Sequence, residues 1–412
     1  MTTSAFAWLD YSDGERRRMF EVIDLFREKG TVDELGMGRI RDAFADRLFP
    51  GTSTLQSRTR YWLFVPWLYL QLEGAHVRSA DADRYVRKLQ AGLVGSLEKG
   101  GESEGVIGIE AKDRVLRPPS IVYWAGLARY GILQFPGSIG RYHASLDAYN
   151  RGNGLRRSEG DEQVLIDPGR RNWHAGLPAA PTDLLDRATF QLRRADAEYL
   201  RERFVTVEDS SMLAWALQHP AALQGCDAPW RHPRLAEMPA HLREVVEQAE
   251  HFSTLMYGAV LVYNLALAEL AASRGHHDAA AVDEYRAGYH EWVAKKVEPR
   301  LGEFRSWDRG ALWLMISRLL RGGGWGTREF SERWMRRALE DPTTALDDPA
   351  TRSLVAARER EMKGQLARLH NPSALERWSG RSGVYQLTYR WGEARTILQD
   401  VAAGLRTAVE AD

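Results

Sequence analysis

Ten consecutive residues, Tyr61-Trp62-Leu63-Phe64-Val65-Pro66-Trp67-Leu68-Tyr69-Leu70, include no charged side chain. A helix made from them has no polar face to turn to water, so it lies inside a large core or inside a bilayer. The run is well short of the roughly 20 residues that a bilayer span needs. It therefore predicts a central core helix, bent near Trp62 because Pro66 lacks an N–H and crowds the preceding turn. Upstream, Ile40, Ala43, Phe44 and Leu48 recur at helical spacing opposite Arg39, Arg41, Asp42 and Asp46, and Pro50-Gly51 stops that helix. Thr31 before Glu34, and Ser53 before Gln56, have the spacing of capping boxes at two helix starts. Arg58 and Arg60 fall in the first turns of the core helix, where the positive helix end disfavours a guanidinium without a partner. They suit a phosphate or carboxylate ligand, or an ion pair with Asp33, Glu34, Asp42 or Asp46.

At 412 residues the chain is long enough for two or three domains. Formal charge is zero, so there is no global basic footprint of the kind that marks a nucleic-acid-binding surface, although a local patch fits within a neutral total. Of the 56 basic residues only seven are lysine, a skew that codon usage explains as well as anion recognition does. The single cysteine, Cys226, excludes internal disulfides and a thiolate zinc site. Residues 1–18 lack the pattern of a secretory signal, so the expected location is cytoplasmic, with no membrane partner.

The helical pattern continues along the chain. Ser12 and Glu15 open a helix; Asp81 caps another; Val106 to Ile109 reads as a short β-run. Ser120 caps a helix that ends at Gly131, and Ile132 to Phe135 reads as a strand. Helix, glycine and short strand together make a winged-helix-like unit. Residues 151–182 lose periodicity and gain Gly, Pro and Arg, so they form an irregular connector between an N-terminal part, 1–150, and a C-terminal bundle, 183–412. In the bundle, helices are expected over Leu184–Phe204, Ser211–Gln218, Ala240–Ser273, Val282–Val297, Arg309–Leu320, Asp348–Leu369 and Arg390–Leu405. The apolar half of the Ala240–Ser273 stretch contains Gly258, Asn264 and Glu269, which favours a buried bundle helix over a membrane span. The expected class is mainly α, a helical bundle protein with few short strands.

The familiar catalytic signatures are missing. The triglycine loop Gly322–Gly324 lacks the Gly-Lys-Ser/Thr ending of a phosphate loop. Glu110 with Lys112 resembles half of a metal-dependent nuclease site but has no second carboxylate at the right place. His241, Glu244, Glu247 and His251 lie on successive turns of one helix without the second Glu-x-x-His motif of a di-iron bundle, and read as surface groups. Cys226 with His219 and His232 lacks the partners of a nucleophilic triad. No cofactor is indicated. Candidate nucleic-acid contacts are Arg58, Arg60, Arg117, Arg129, Arg141, Arg170, Arg171 and Trp173, cations with one aromatic beside them.

The motifs Asp33-Glu34-Leu35-Gly36, Phe49-Pro50-Gly51-Thr52-Ser53, Arg58-x-Arg60-Tyr61, Phe64-Val65-Pro66-Trp67, Pro119-Ser120-x-x-Tyr123-Trp124, Trp173-His174-x-Gly176-Leu177-Pro178, Tyr263-Asn264 and Arg377-Trp378-Ser379-Gly380 resemble a bacterial family known as domain of unknown function six-three-six-one. The resemblance implies a component of an antiphage defence system, working beside a helicase or a nuclease, and assigns no catalytic residue. The combined expectation is a non-catalytic subunit that associates with DNA or RNA or acts as an adaptor. The alternatives are a metal-dependent nuclease at Glu110 and Lys112, or a purely structural interaction subunit.

Overall fold

The computed structural model describes residues 33–111, 115–151, 155–156, 164–165, 171–275, 280–320 and 325–407. The expected Ser12–Glu15 start, Thr31, Lys112, Arg170 and the triglycine loop lie outside these. The protein is mainly α-helical; among the described residues the strands are Leu155–Arg156 and Val164–Leu165, paired antiparallel. Its contacts divide it into two compact units. Unit one is Gln248–Leu387 with the segment ending at Ala43, and unit two is Phe44–Glu247 with the segment starting at Thr388. The described residues of the 151–182 stretch lie within unit two.

Unit two is organised around the Tyr61–Gly74 helix. Trp62 is 1 % exposed and meets the rings of Tyr123, Tyr130 and Phe204 edge-on at 5.6, 5.6 and 5.1 Å. These are the tilted geometries that aromatic quadrupoles favour. Four of the buried rings that carry a polar tip bond backbone groups. Trp67 Nε1 donates to Pro178 O at 2.7 Å, Tyr130 Oη to Pro50 O at 2.6 Å and Tyr123 Oη to Arg58 O at 2.9 Å, while Tyr61 Oη accepts from Ile107 N at 2.9 Å. Gly126, on the Pro119–Arg129 helix, has no room for a Cβ because the Trp62 ring and Gly51 O stand against it. This close approach is what lets the two helices meet over an indole.

Several local expectations are corrected. The core helix starts at Tyr61, and Ser53 Oγ accepts from Leu55 N, within a turn. Asp33 caps the Gly38–Leu48 helix, accepting from Met37 N and Gly38 N at 2.5 Å each. Asp81 makes no cap bond and instead holds Arg78 and Arg84. Val106 to Ile109 forms turns, not a strand. Leu184–Phe204 is helical only from Arg194; the Ala188 N–H is taken by Ser96 O at 3.1 Å, which diverts the chain from a helical path. Gly131 is left-handed (φ 64°) as expected, but Pro118, not Ser120, precedes the helix, and Leu133 makes a single isolated bridge to Trp173. The strands of a wing are not seen there.

In unit one the Ala240–Ser273 helix supplies the core from Gln248 onward. Its apolar window is long enough to cross a membrane and is 67 % buried by the protein itself. Trp334 Nε1 and Trp292 Nε1 donate to its Leu255 and Thr254 carbonyls at 2.9 and 2.8 Å, and Asn264 Nδ2 donates to Ser382 O at 2.8 Å. His251, expected at the surface, is buried and bonds Glu303 at 2.6 Å.

Candidate anion-binding cleft

In unit two, the turns over Pro181–Thr189 are pinned by Ser96 Oγ, which donates to Leu184 O at 2.7 Å, and by Glu102, which accepts from Phe190 N at 2.7 Å. These turns form one wall of an open cleft of about 540 Å³, lined also by Arg60, Phe64 and Arg193. That volume falls within the usual range for small-molecule sites.

Arg60 is only 6 % exposed. Its Nη1 donates to Thr189 O at 2.9 Å and its Nη2 lies 3.6 Å from Asp196, while its Nε has no partner. The planar guanidinium rests near the faces of Phe64 and Trp67, at 5.5 and 5.9 Å. Arg193, over the same Trp67 at 5.6 Å, opens the Arg194–Val207 helix and grips the fully buried Asp196 through Nη2 and Nε at 2.7 and 3.0 Å. One carboxylate therefore serves two guanidinium groups. Burial lowers the pKa of Arg60 and Arg193 adds to this, with Asp196 opposing. Arg187 stands exposed on the rim, and among the described residues its side chain makes no ion pair. Asp183, also on the rim, is the one acidic residue in the lining. The excess of fixed, planar donors suits a planar or tetrahedral oxyanion.

The other sequence-derived candidates lie elsewhere. Arg58 pairs with Asp400 at 3.3 Å and covers Phe190 at 4.7 Å. Arg129 pairs with Glu208, which holds its guanidinium charged. Arg117 is half-exposed and engaged. Arg141 and Arg171 are exposed. Trp173 is 2 % exposed and donates from Nε1 to Tyr142 Oη at 3.0 Å. It belongs to a buried network around Glu73, which accepts from Tyr142 Oη, from Asn172 Nδ2 at 2.8 Å and from Tyr149 Oη at 3.4 Å. Burial raises the Glu73 pKa and the hydrogen bonds oppose it. Glu110 is exposed in a turn. Among the described residues no group of three or more metal-ligating side chains occurs. The expected carboxylate partners of Arg58 and Arg60 were Asp33, Glu34, Asp42 or Asp46; the actual ones, Asp400 and Asp196, are remote in sequence. Arg187, Arg193 and Asp196 were not singled out because the Leu184–Phe204 stretch reads as one helix of the bundle, with nothing along the chain to set these residues apart.

Fold and cleft together define a mainly α-helical protein with an arginine-lined cavity in one of two compact units. The chain belongs to a family described as Family of unknown function (DUF6361), whose sequence model matches residues 3–404. No curated protein and no solved structure matches it.

Proposed function

We propose that the protein is a non-catalytic subunit that binds a phosphate-bearing ligand, a nucleic-acid strand, through the unit-two cleft. The observation that supports this is the Arg60 Nε, buried and unpartnered, in a cavity whose other cations are Arg193 and the exposed Arg187. A buried donor left unpaired costs about 1–3 kcal/mol, a cost that an incoming oxyanion removes. Two guanidinium groups around one carboxylate leave positive charge for a phosphodiester, and single strands present phosphates without a groove to be read. In the defence setting that the family resemblance implies, such a subunit would hold the strand on which a partner acts.

The test is fluorescence anisotropy with a labelled single-stranded oligonucleotide, DNA and RNA, over a salt series. Binding falls linearly on a log–log plot, and Arg187→Ala lowers the slope by roughly one released counterion per lost contact. Arg60→Lys keeps the charge but not the fork, and weakens binding further. Unchanged affinity in both variants rejects the cleft as the nucleic-acid site.

A further inference from the structure

Unit one has a pocket of its own. Asp33 and Glu34, ahead of the Gly38–Leu48 helix, Ser253, Tyr257 and Tyr263 on the long helix, and Tyr385 in the 380–387 loop all face it. Its cavity is about 60 Å³. This is smaller than the ~150 Å³ apolar cavity that accepts a benzene ring, so it has room for a few heavy atoms. Three observations restrict what those atoms are.

Ser253 is completely buried, lines the pocket, and its hydroxyl has no partner. A hydroxyl in that position is an unmet hydrogen-bonding group, normally satisfied by water or a ligand. Next, three tyrosine rings line so small a space, and one of them already faces a cation: the Lys363 ammonium stands 5.9 Å over the Tyr263 ring. Faces of this kind attract ammonium ions through the ring quadrupole. Finally, the acidic side of the pocket is fixed in place. Glu34 accepts from Tyr263 Oη at 3.2 Å and from Arg368 Nη1 at 2.8 Å, and also pairs with Lys363. Asp33 is held by two backbone N–H groups. The cations nearby are committed: Arg41 bonds Asp42 at 3.0 Å, Arg368 also bonds Ser382 Oγ at 2.9 Å, and Lys363 lies 3.8 Å from Glu359 as well. Burial, reinforced by Arg368, pulls the Lys363 pKa down to about 7, which weakens the local positive charge at and above neutral pH.

We propose that this pocket binds a small alkylammonium ion, its head among the tyrosine rings and hydrogen-bonded to Ser253, with Asp33, which lines the pocket, supplying the counter-charge. The site is separate from the arginine cleft and requires the opposite ligand charge.

Calorimetric titration of the full chain with n-butylammonium, n-butanol and butyrate tests it. Butylammonium binds, butanol binds about tenfold more weakly for want of the cation–π attraction, and butyrate does not bind. Tyr385→Ala, at a side chain 54 % exposed and therefore safe for the fold, weakens butylammonium binding about fivefold. Ser253→Ala weakens it as well, and Arg187→Ala leaves it unchanged whatever that variant does to nucleic acid. Equal binding of butanol and butylammonium would show a plain apolar cavity and overturn the proposal. So would no binding at all, or binding indifferent to both pocket variants.

Discussion

Each unit buries a cluster of charges, and the two clusters are finished differently. In unit one Glu359 is fully buried and accepts from Tyr263 Oη at 2.5 Å, Arg368 N at 2.8 Å and Leu369 N at 3.0 Å, with Lys363 nearby. Glu34 is likewise saturated by Lys363, Arg368 and Tyr263. In unit two Asp196 serves both Arg60 and Arg193, and one Arg60 N–H remains without an acceptor. A saturated buried network fixes a local structure and offers nothing to a ligand; an unsaturated one beside a cleft keeps a donor available. Burial of charge is therefore no sign of a binding site by itself. The missing partner is.

The largest expected effect comes from cutting the closed cluster. Glu359→Ala strands three donors and the Lys363 ammonium, and should cost about 3–5 kcal/mol in denaturant unfolding. A loss below about 1 kcal/mol would mean that the network does not hold unit one together. Asp196→Ala should cost about 3 kcal/mol by removing the carboxylate shared by the buried Arg60 and the half-exposed Arg193, but here inorganic phosphate should restore part of the stability, because a ligand that binds only the folded state stabilises it by mass action. Phosphate should do nothing for Glu359→Ala. If it rescues both variants or neither, the contrast between the clusters fails.

A third test uses pH. The folded pKa of Lys363, about 7, lies below its unfolded value of about 10.5, so between those values the unfolded chain holds the extra proton. Stability should therefore increase as pH rises from about 7 toward 10.5, by at most about 1.4 kcal/mol per unit. Lys363→Met should flatten that rise in a series of unfolding midpoints. A wild-type profile that is flat or falling would show that Glu34 and Glu359 outweigh desolvation. The smallest effects belong to the exposed arginines. Arg58→Ala loses a partly exposed ion pair and its cover over Phe190, about 1 kcal/mol. Arg141→Ala should stay within about 0.5 kcal/mol. A larger loss at Arg141 than at Arg58 would reverse the assignment of which arginines are structural.

Much of the helical framework is legible in the sequence because periodicity and composition report burial directly. The Ala240–Ser273 helix is found with its expected ends, and Ser211 caps the Met212–Gln218 helix through Ala214 N as its position suggests. Tyr61–Leu70 is a core segment because it has no polar face to expose; Trp62 and Trp67 are each 1 % exposed. The errors arise where a local signal competes with a distant partner. Ser53 and Gln56 have capping-box spacing, but the Tyr123 hydroxyl takes Ser57 N and Arg58 N, so the helix opens later. The Leu184–Phe204 stretch has helical periodicity, but Ser96 and Glu102 hold its first half in turns.

Arg60 itself could be singled out from the sequence, since a guanidinium at the positive end of a buried helix needs an anion. The sequence could not say which one. Asp196 and Asp400 reach Arg60 and Arg58 only after the chain has folded, so the charge left over, and with it the cleft, belongs to the tertiary structure. Hydrophobic patterning is a property of neighbours along the chain and survives in the sequence. Pairing of buried charges depends on distances of a few ångströms between remote residues, and only the packed fold sets those.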